Sequence, residues 1–106
     1  MYQTVYDIEL KNRQSGRFFF SKDTKRFFKS RIGNEVYGGC YFITSEKFND
    51  DSPRLYTIRK ASPDGDVSTV GKFQAFKTSA QARSAINRIL LGVDEKLSCN
   101  LAMACT

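Results

Sequence analysis

Leu55-Tyr56-Thr57-Ile58-Arg59, then Ser62-Pro63-Asp64-Gly65-Asp66, then the run from Val67 to Phe76 decide the fold. The first run is rich in β-branched and aromatic residues and reads as a strand. The middle five residues are the strongest turn signal in the chain. Proline presets φ, aspartate bonds its own backbone and glycine accepts a positive φ. Residues 67–76 then read as the return strand, with Gly71 expected as a bulge.

Toward the C-terminus, Thr78-Ser79-Ala80-Gln81 is a capping box of the T-x-x-Q type. Ala82, Ala85, Ile86, Ile89 and Leu90 recur at helical spacing and Gly92 ends the run, which predicts a helix over 79–91. Residues 93–106 carry little pattern and are expected to form a loosely attached tail, with Leu97, Leu101 and Met103 packing down. Toward the N-terminus, residues 35–37 and 40–44 flank Gly38-Gly39 and predict a hairpin. A polar loop is expected over 45–53.

Upstream of the hairpin, Ser21-Lys22-Asp23 offers helix caps and Gly33-Asn34 a stop, predicting a helix over 22–32. At about 100° per residue, Lys22, Lys25, Arg26 and Lys29 share one sector, and Phe27, Phe28 and Ile32 fall opposite. Burying those three apolar side chains at about 1.5–3 kcal/mol each holds a helix too short to stand alone. Residues 2–10 alternate, with Tyr2, Thr4, Tyr6, Ile8 and Leu10 on one face, and predict a half-buried strand. Residues 12–16 read as a turn, and 17–20 as a short strand or an extended approach to the helix. The expected fold is α+β: a small antiparallel sheet of four to six strands, with the basic helix and the C-terminal helix packed on its apolar face. Residues 1–92 are expected to form one domain.

The 106 residues include nine Phe, five Tyr and no Trp. Aromatic rings bury much area per residue, so a small core forms without metals or disulfides. There is no run of 18 apolar residues long enough to span a bilayer and no secretion signal at the start, so the expected compartment is the cytoplasm. Cys40, Cys99 and Cys105 are an odd number in no metal or disulfide spacing and are expected to be reduced thiols. The absence of histidine removes the usual general base, the Ser-His and Cys-His pairs and most zinc sites. The pairs Asp7/Glu9, Asp50/Asp51, Asp64/Asp66 and Asp94/Glu95 each have a local explanation in a strand face, a loop, a turn and a post-helix segment. The expectation is a non-enzymatic protein with no cofactor, no metal and no catalytic residues.

Charge supplies the functional signal. The net charge is +6, and residues 11–31 hold eight bases against the single acid Asp23, a local +7. Self-repulsion of that size opposes folding unless something offsets it. Arg13, Arg17, Lys22, Lys25, Arg26 and Lys29 are therefore the candidate binding residues. Clustered cations suit a phosphate backbone, because binding releases its counterions. The Phe18-Phe19-Phe20 run beside them offers stacking surface for unpaired bases, although Phe18 and Phe20 are expected to face the core. The expected partner is nucleic acid; the alternative is an acidic surface of a host protein, approached by electrostatic steering.

The order of motifs carries two resemblances. The segment 16–31, then Val36-Tyr37, Tyr41-Phe42-Ile43-Thr44-Ser45-Glu46-Lys47, Leu55-Tyr56-Thr57-Ile58-Arg59 and Val70-Gly71-Lys72-Phe73-Gln74 together resemble a group of small uncharacterised proteins of phages and related mobile elements. That resemblance covers roughly residues 5–90. It implies a phage accessory protein, of the kind that acts on host machinery, including defence systems such as CRISPR complexes. Val70-Gly71-Lys72-Phe73, Phe76-Lys77-Thr78 and Ala82 resemble the strand-to-helix corner of AP2-type and integrase arm-type DNA-binding domains, which lay a three-stranded sheet in the major groove.

Overall fold

A computed structural model describes residues 1–92. The tail expected over 93–106, with Cys99 and Cys105, lies outside the described residues. The chain runs through α1 (Val5–Gln14), α2 (Lys22–Phe28), β1 (Arg31–Ile32), β2 (Tyr41–Glu46), β3 (Leu55–Ala61), β4 (Val67–Val70) and α3 (Ser79–Leu90). The four strands form one antiparallel sheet in sequence order. An α+β fold with an antiparallel sheet and a C-terminal helix is what the sequence predicts.

Register decides what each face carries. Ile43 pairs with Ile58, and Ile58 with Val70, on one face. Thr44 pairs with Thr57, and Phe42 with Arg59, on the other. On the first face Ile43 and Ile58 meet Ala82, Ala85 and Ile86 of α3. On the second, Phe42 and Ala61 meet Ile8 of α1 and Phe20. α3 begins where Thr78 Oγ1 accepts the Gln81 N–H at 3.1 Å. The Gln81 side chain reaches back one residue further than a capping box does, accepting the Lys77 N–H at 3.1 Å.

Residues 2–10 are the largest departure from expectation, because the predicted strand is mostly helix. Thr4 and Asp7 form a reciprocal capping box, each side chain accepting the other's N–H at 3.1 Å. Val5, Ile8 and Asn12 then share a face at helical spacing, while Tyr6 and Leu10 of the alternating pattern point outward. Asn12 is buried and its Nδ2 donates to the Gly65 carbonyl at 2.8 Å. A Cβ on Gly65 would sit 2.7 Å from the Asn12 nitrogen. Glycine is thus needed both for its φ of +89° and for the close seat of α1 on the β3–β4 turn.

The hairpin expected around Gly38-Gly39 shrinks to one bridge, Tyr37 to Tyr41, because the edge of β2 away from β3 is taken further along by β1. The return strand ends at Val70. Gly71, at φ +75°, turns the chain out, and a single bridge from Tyr56 to Phe76 resumes pairing. The basic helix stops at Phe28. Lys29 takes a left-handed conformation at φ 50°, Ser30 N–H returns to the Lys25 carbonyl at 2.8 Å, and Arg54 Nη1 donates to the Lys29 carbonyl at 3.0 Å. That Arg54 contact comes from 25 residues away, so a long-range hydrogen bond overrides the local stop at Gly33-Asn34 and frees Arg31 and Ile32 to pair with β2.

Candidate functional site

The polar half of the second sheet face is the least expected feature of the molecule. Thr44, Glu46 and Thr57 lie on one face of β2 and β3 and would ordinarily face water, yet each is buried. Glu46 accepts from Thr44 Oγ1 at 2.5 Å and from Thr57 Oγ1 at 2.8 Å. It also pairs with Arg59 Nη2 at 2.9 Å. Arg59 Nε donates to Thr44 Oγ1 at 3.0 Å and Nη1 to Thr69 Oγ1 at 2.6 Å. A buried carboxylate persists only when paired and hydrogen-bonded in this way. No sequence motif announces the network; its one sequence signal is the period-2 row of polar residues on two paired strands.

Aromatic rings roof the network. The Arg59 guanidinium carbon lies 5.2 Å from the Phe19 ring centroid and 5.5 Å from that of Phe73, within cation–π range of both. Phe73 is set there by Gln74, whose left-handed backbone at φ 58° is held by its N–H to Thr57 Oγ1 and its Nε2 to the Glu46 carbonyl. Ring contacts then continue outward from Phe73 to Phe28 at 6.0 Å and from Phe28 to Phe27 at 4.8 Å. Between α2 and the sheet these rings enclose a cavity of about 330 Å³, with Phe19, Phe28 and Phe73 as walls, Arg59 and Thr69 as floor and Lys25 at the rim.

The helix above this cavity is not the amphipathic helix expected. α2 buries no residue. Phe27 is 79% exposed and Phe28 40%, so the apolar back does not pack as predicted. Its inner side is half-buried Thr24 and Lys25, because the surface beneath is the polar half of the sheet rather than an apolar core. Phe18 is also corrected: it is 76% exposed, while Phe20 is buried as expected and Phe19 lies half-buried against it.

The six candidate cations divide. Arg13 pairs with Glu9 one helical turn back at 2.8 Å. Arg17 pairs with Asp64 at 3.1 Å and Asp66 at 3.4 Å, tying the end of α1 to the β3–β4 turn. The Ser62 hydroxyl, the Asp66 N–H and the Arg17 charge hold the Asp64 carboxyl below the ordinary carboxylate value. Lys29 meets Asp50 at 3.3 Å. Lys22, Lys25 and Arg26 form no ion pair with any described residue, and all three lie on α2. The local +7 is thus offset on either side of α2 by acids from outside the segment, and the cations without an ion pair to a described residue among the six candidates all lie on this short helix.

Among the described residues no group of three or more Cys, Asp or Glu is placed to hold a metal ion, and no helix is long and apolar enough to cross a membrane. Cys40 is a free thiol, its pKa raised by burial. No curated protein and no solved structure matches the chain. The family of unknown function DUF7447 matches residues 4–87, and the chain belongs to that family.

Proposed function

We propose that this member of the family is a small accessory protein that binds single-stranded nucleic acid across α2 and the cavity beside it. Lys22, Lys25 and Arg26 would lie on the phosphates. An unpaired base would stack against Phe28 and Phe73, with Phe27 offering a second platform. The observation that carries the reading is the coincidence on one seven-residue helix of three cations without acidic partners and two exposed phenylalanines. Cations alone describe a solvated surface; cations beside exposed rings describe the paired recognition of backbone and base that unpaired strands receive. Arg13, Arg17 and Lys29 contribute by placing α2 and its field rather than by contact. The phage origin implied by the order of motifs belongs to the same proposal, as does a role acting on host machinery.

The test is a fluorescence titration with single-stranded and duplex DNA and RNA across salt. Single strands should bind more tightly than duplex. The K22E/K25E/R26E variant should lose binding, and log K should lose a salt slope of about 2, as three released phosphate contacts require. Phe28→Ala should weaken single-strand binding by about 1–3 kcal/mol and leave the salt slope unchanged. Absence of binding to every nucleic acid at low salt overturns the proposal. It would favour the second reading, a phage inhibitor or adaptor docked on an acidic host protein. For that reading the supporting observation is Phe27 and Phe28, both exposed and in ring contact with each other, since contiguous exposed apolar surface marks interaction sites.

A further inference from the structure

On the other side of β1, against the α3 face of the sheet, lies a second cavity of about 330 Å³. Three arginines from three separate elements reach it: Arg31 of β1, Arg54 of the β2–β3 loop and Arg83 of α3. We propose that this cavity binds the phosphate group of a nucleotide. The inference does not rest on the reading of α2; the two cavities share only Ile32 among their lining residues.

The lining is cationic. Three arginines on the lining of one small cavity bring three positive charges to it, and an anion offsets their repulsion. Glu35 is the one acid on the lining, and its carboxylate accepts the Tyr37 hydroxyl at 3.1 Å. Arg31 and Arg83 form no ion pair with any described residue. Arg54 is anchored through Nη1 alone, to the Lys29 carbonyl, the Ser45 carbonyl and Ser45 Oγ at 3.0–3.1 Å. Its Nε and Nη2 remain to donate. A planar fork held still in this way matches phosphate oxygens better than a lysine does.

Ser79 lines the same cavity and opens α3, where first-turn amides lack partners inside the helix and the dipole favours an anion. Tyr37 and Tyr56 complete the wall with flat apolar surface for a base or sugar. Burial, followed by Glu35, raises the Tyr37 phenol pKa, while the Arg83 charge opposes them; the arginine is therefore close enough to act on this wall. The volume lies at the small end of ligand pockets, suited to one nucleotide rather than a helix.

The phosphate could belong to a free mononucleotide or to the end of a strand. Two-dimensional ¹H–¹⁵N spectra of the whole chain, titrated with inorganic phosphate, adenosine monophosphate and adenosine, test the site. Phosphate and the monophosphate should shift the amides of Gly33, Asn34 and Ser79; adenosine should leave them in place. The R31A/R83A variant removes two exposed side chains without described ion pairs, and should keep the wild-type spectrum while weakening the monophosphate at least about 10-fold. No shift at those amides with either phosphate, or unchanged affinity in the variant, overturns the proposal. If an oligonucleotide with a 5′-phosphate binds more tightly than its 5′-hydroxyl form, the ligand is a strand end. Equal binding beside a monophosphate response assigns a free nucleotide. The K22E/K25E/R26E variant should keep the phosphate shifts even where it loses strand binding, which separates failure of this site from failure of α2.

Discussion

The two faces of the sheet are built from the same two central strands and end in opposite conditions. Beneath α3, Ile43 and Ile58 close against Ala82, Ala85 and Ile86, and an apolar stripe on the helix meets an apolar row on the strands. Beneath α2, the row one residue out of phase is Thr44, Glu46, Thr57 and Arg59, satisfied by its own hydrogen bonds. An apolar helix cannot seal such a row, because its hydrogen-bonding groups gain nothing from hydrocarbon. α2 therefore bridges the polar half through ring edges and leaves a cavity. A helix that closes a core is a structural part; one suspended over a polar floor leaves Phe27 exposed and Phe28 lining a cavity.

The strongest way to break this contrast is through Glu46. Glu46→Gln leaves the Arg59 charge buried without its counterion and should lower stability by about 3–5 kcal/mol, read as a fall in the urea midpoint. Replacing both members, Glu46→Leu with Arg59→Met, should recover most of that loss. If the double variant is as unstable as the single, the network is a stabilising core in its own right and the contrast fails.

Ile86→Ala addresses the closed face and should cost about 2–5 kcal/mol in the same assay, without effect on partner binding once the domain is folded. Phe27→Ala on α2 should change stability by less than about 0.5 kcal/mol, as surface substitutions do, while weakening the strand titration. Comparable losses for the two would mean that α2 also closes a core.

The caps sharpen the comparison at a smaller scale. Thr78→Ala should cost about 1 kcal/mol, because α3 and the apolar face it covers fold together. Ser21 caps α2 by accepting the Thr24 N–H at 3.2 Å. Ser21→Ala should raise amide exchange over residues 22–28 and move the global urea midpoint less than Thr78→Ala does.

The smallest expected effect is in acid. Asp64 has its pKa lowered in the folded state, first by the Ser62 hydroxyl and then by the Asp66 N–H and Arg17. Its contribution is fully present above the ordinary aspartate value and is lost as pH falls through the lowered one. Asp64→Asn should flatten that part of the stability curve below pH ~4: the variant's loss, small because the group is exposed, is present at neutral pH and vanishes in acid.

Much of this could be read in advance. The Ser62–Asp66 turn, the strand before it, the start of the return strand and the capped stripe of α3 depend on residues within one turn of each other, and each was legible; the end of the return strand at Val70 was not. The N-terminal segment was not, because residues 2–10 carry two periods at once. Alternation is visible through Tyr6 and Leu10, while Val5, Ile8 and Asn12 keep helical spacing. The Thr4–Asp7 cap and the seat on Gly65 select the helix. Of the candidate site, Lys22, Lys25 and Arg26 are placed together without ion-pair partners, but Phe28, Phe73 and Arg59 enter only with the fold.

What the sequence alone determined is a chain of α+β character with a cationic segment, since caps, turns and composition act locally. Tertiary structure decided which of those cations remain bare. Arg17 meets Asp64, 47 residues away, and Lys29 meets Asp50, whereas no acid of the described chain reaches α2's remaining three. Coulomb energy depends on distance in space, and distance in space is what the fold supplies.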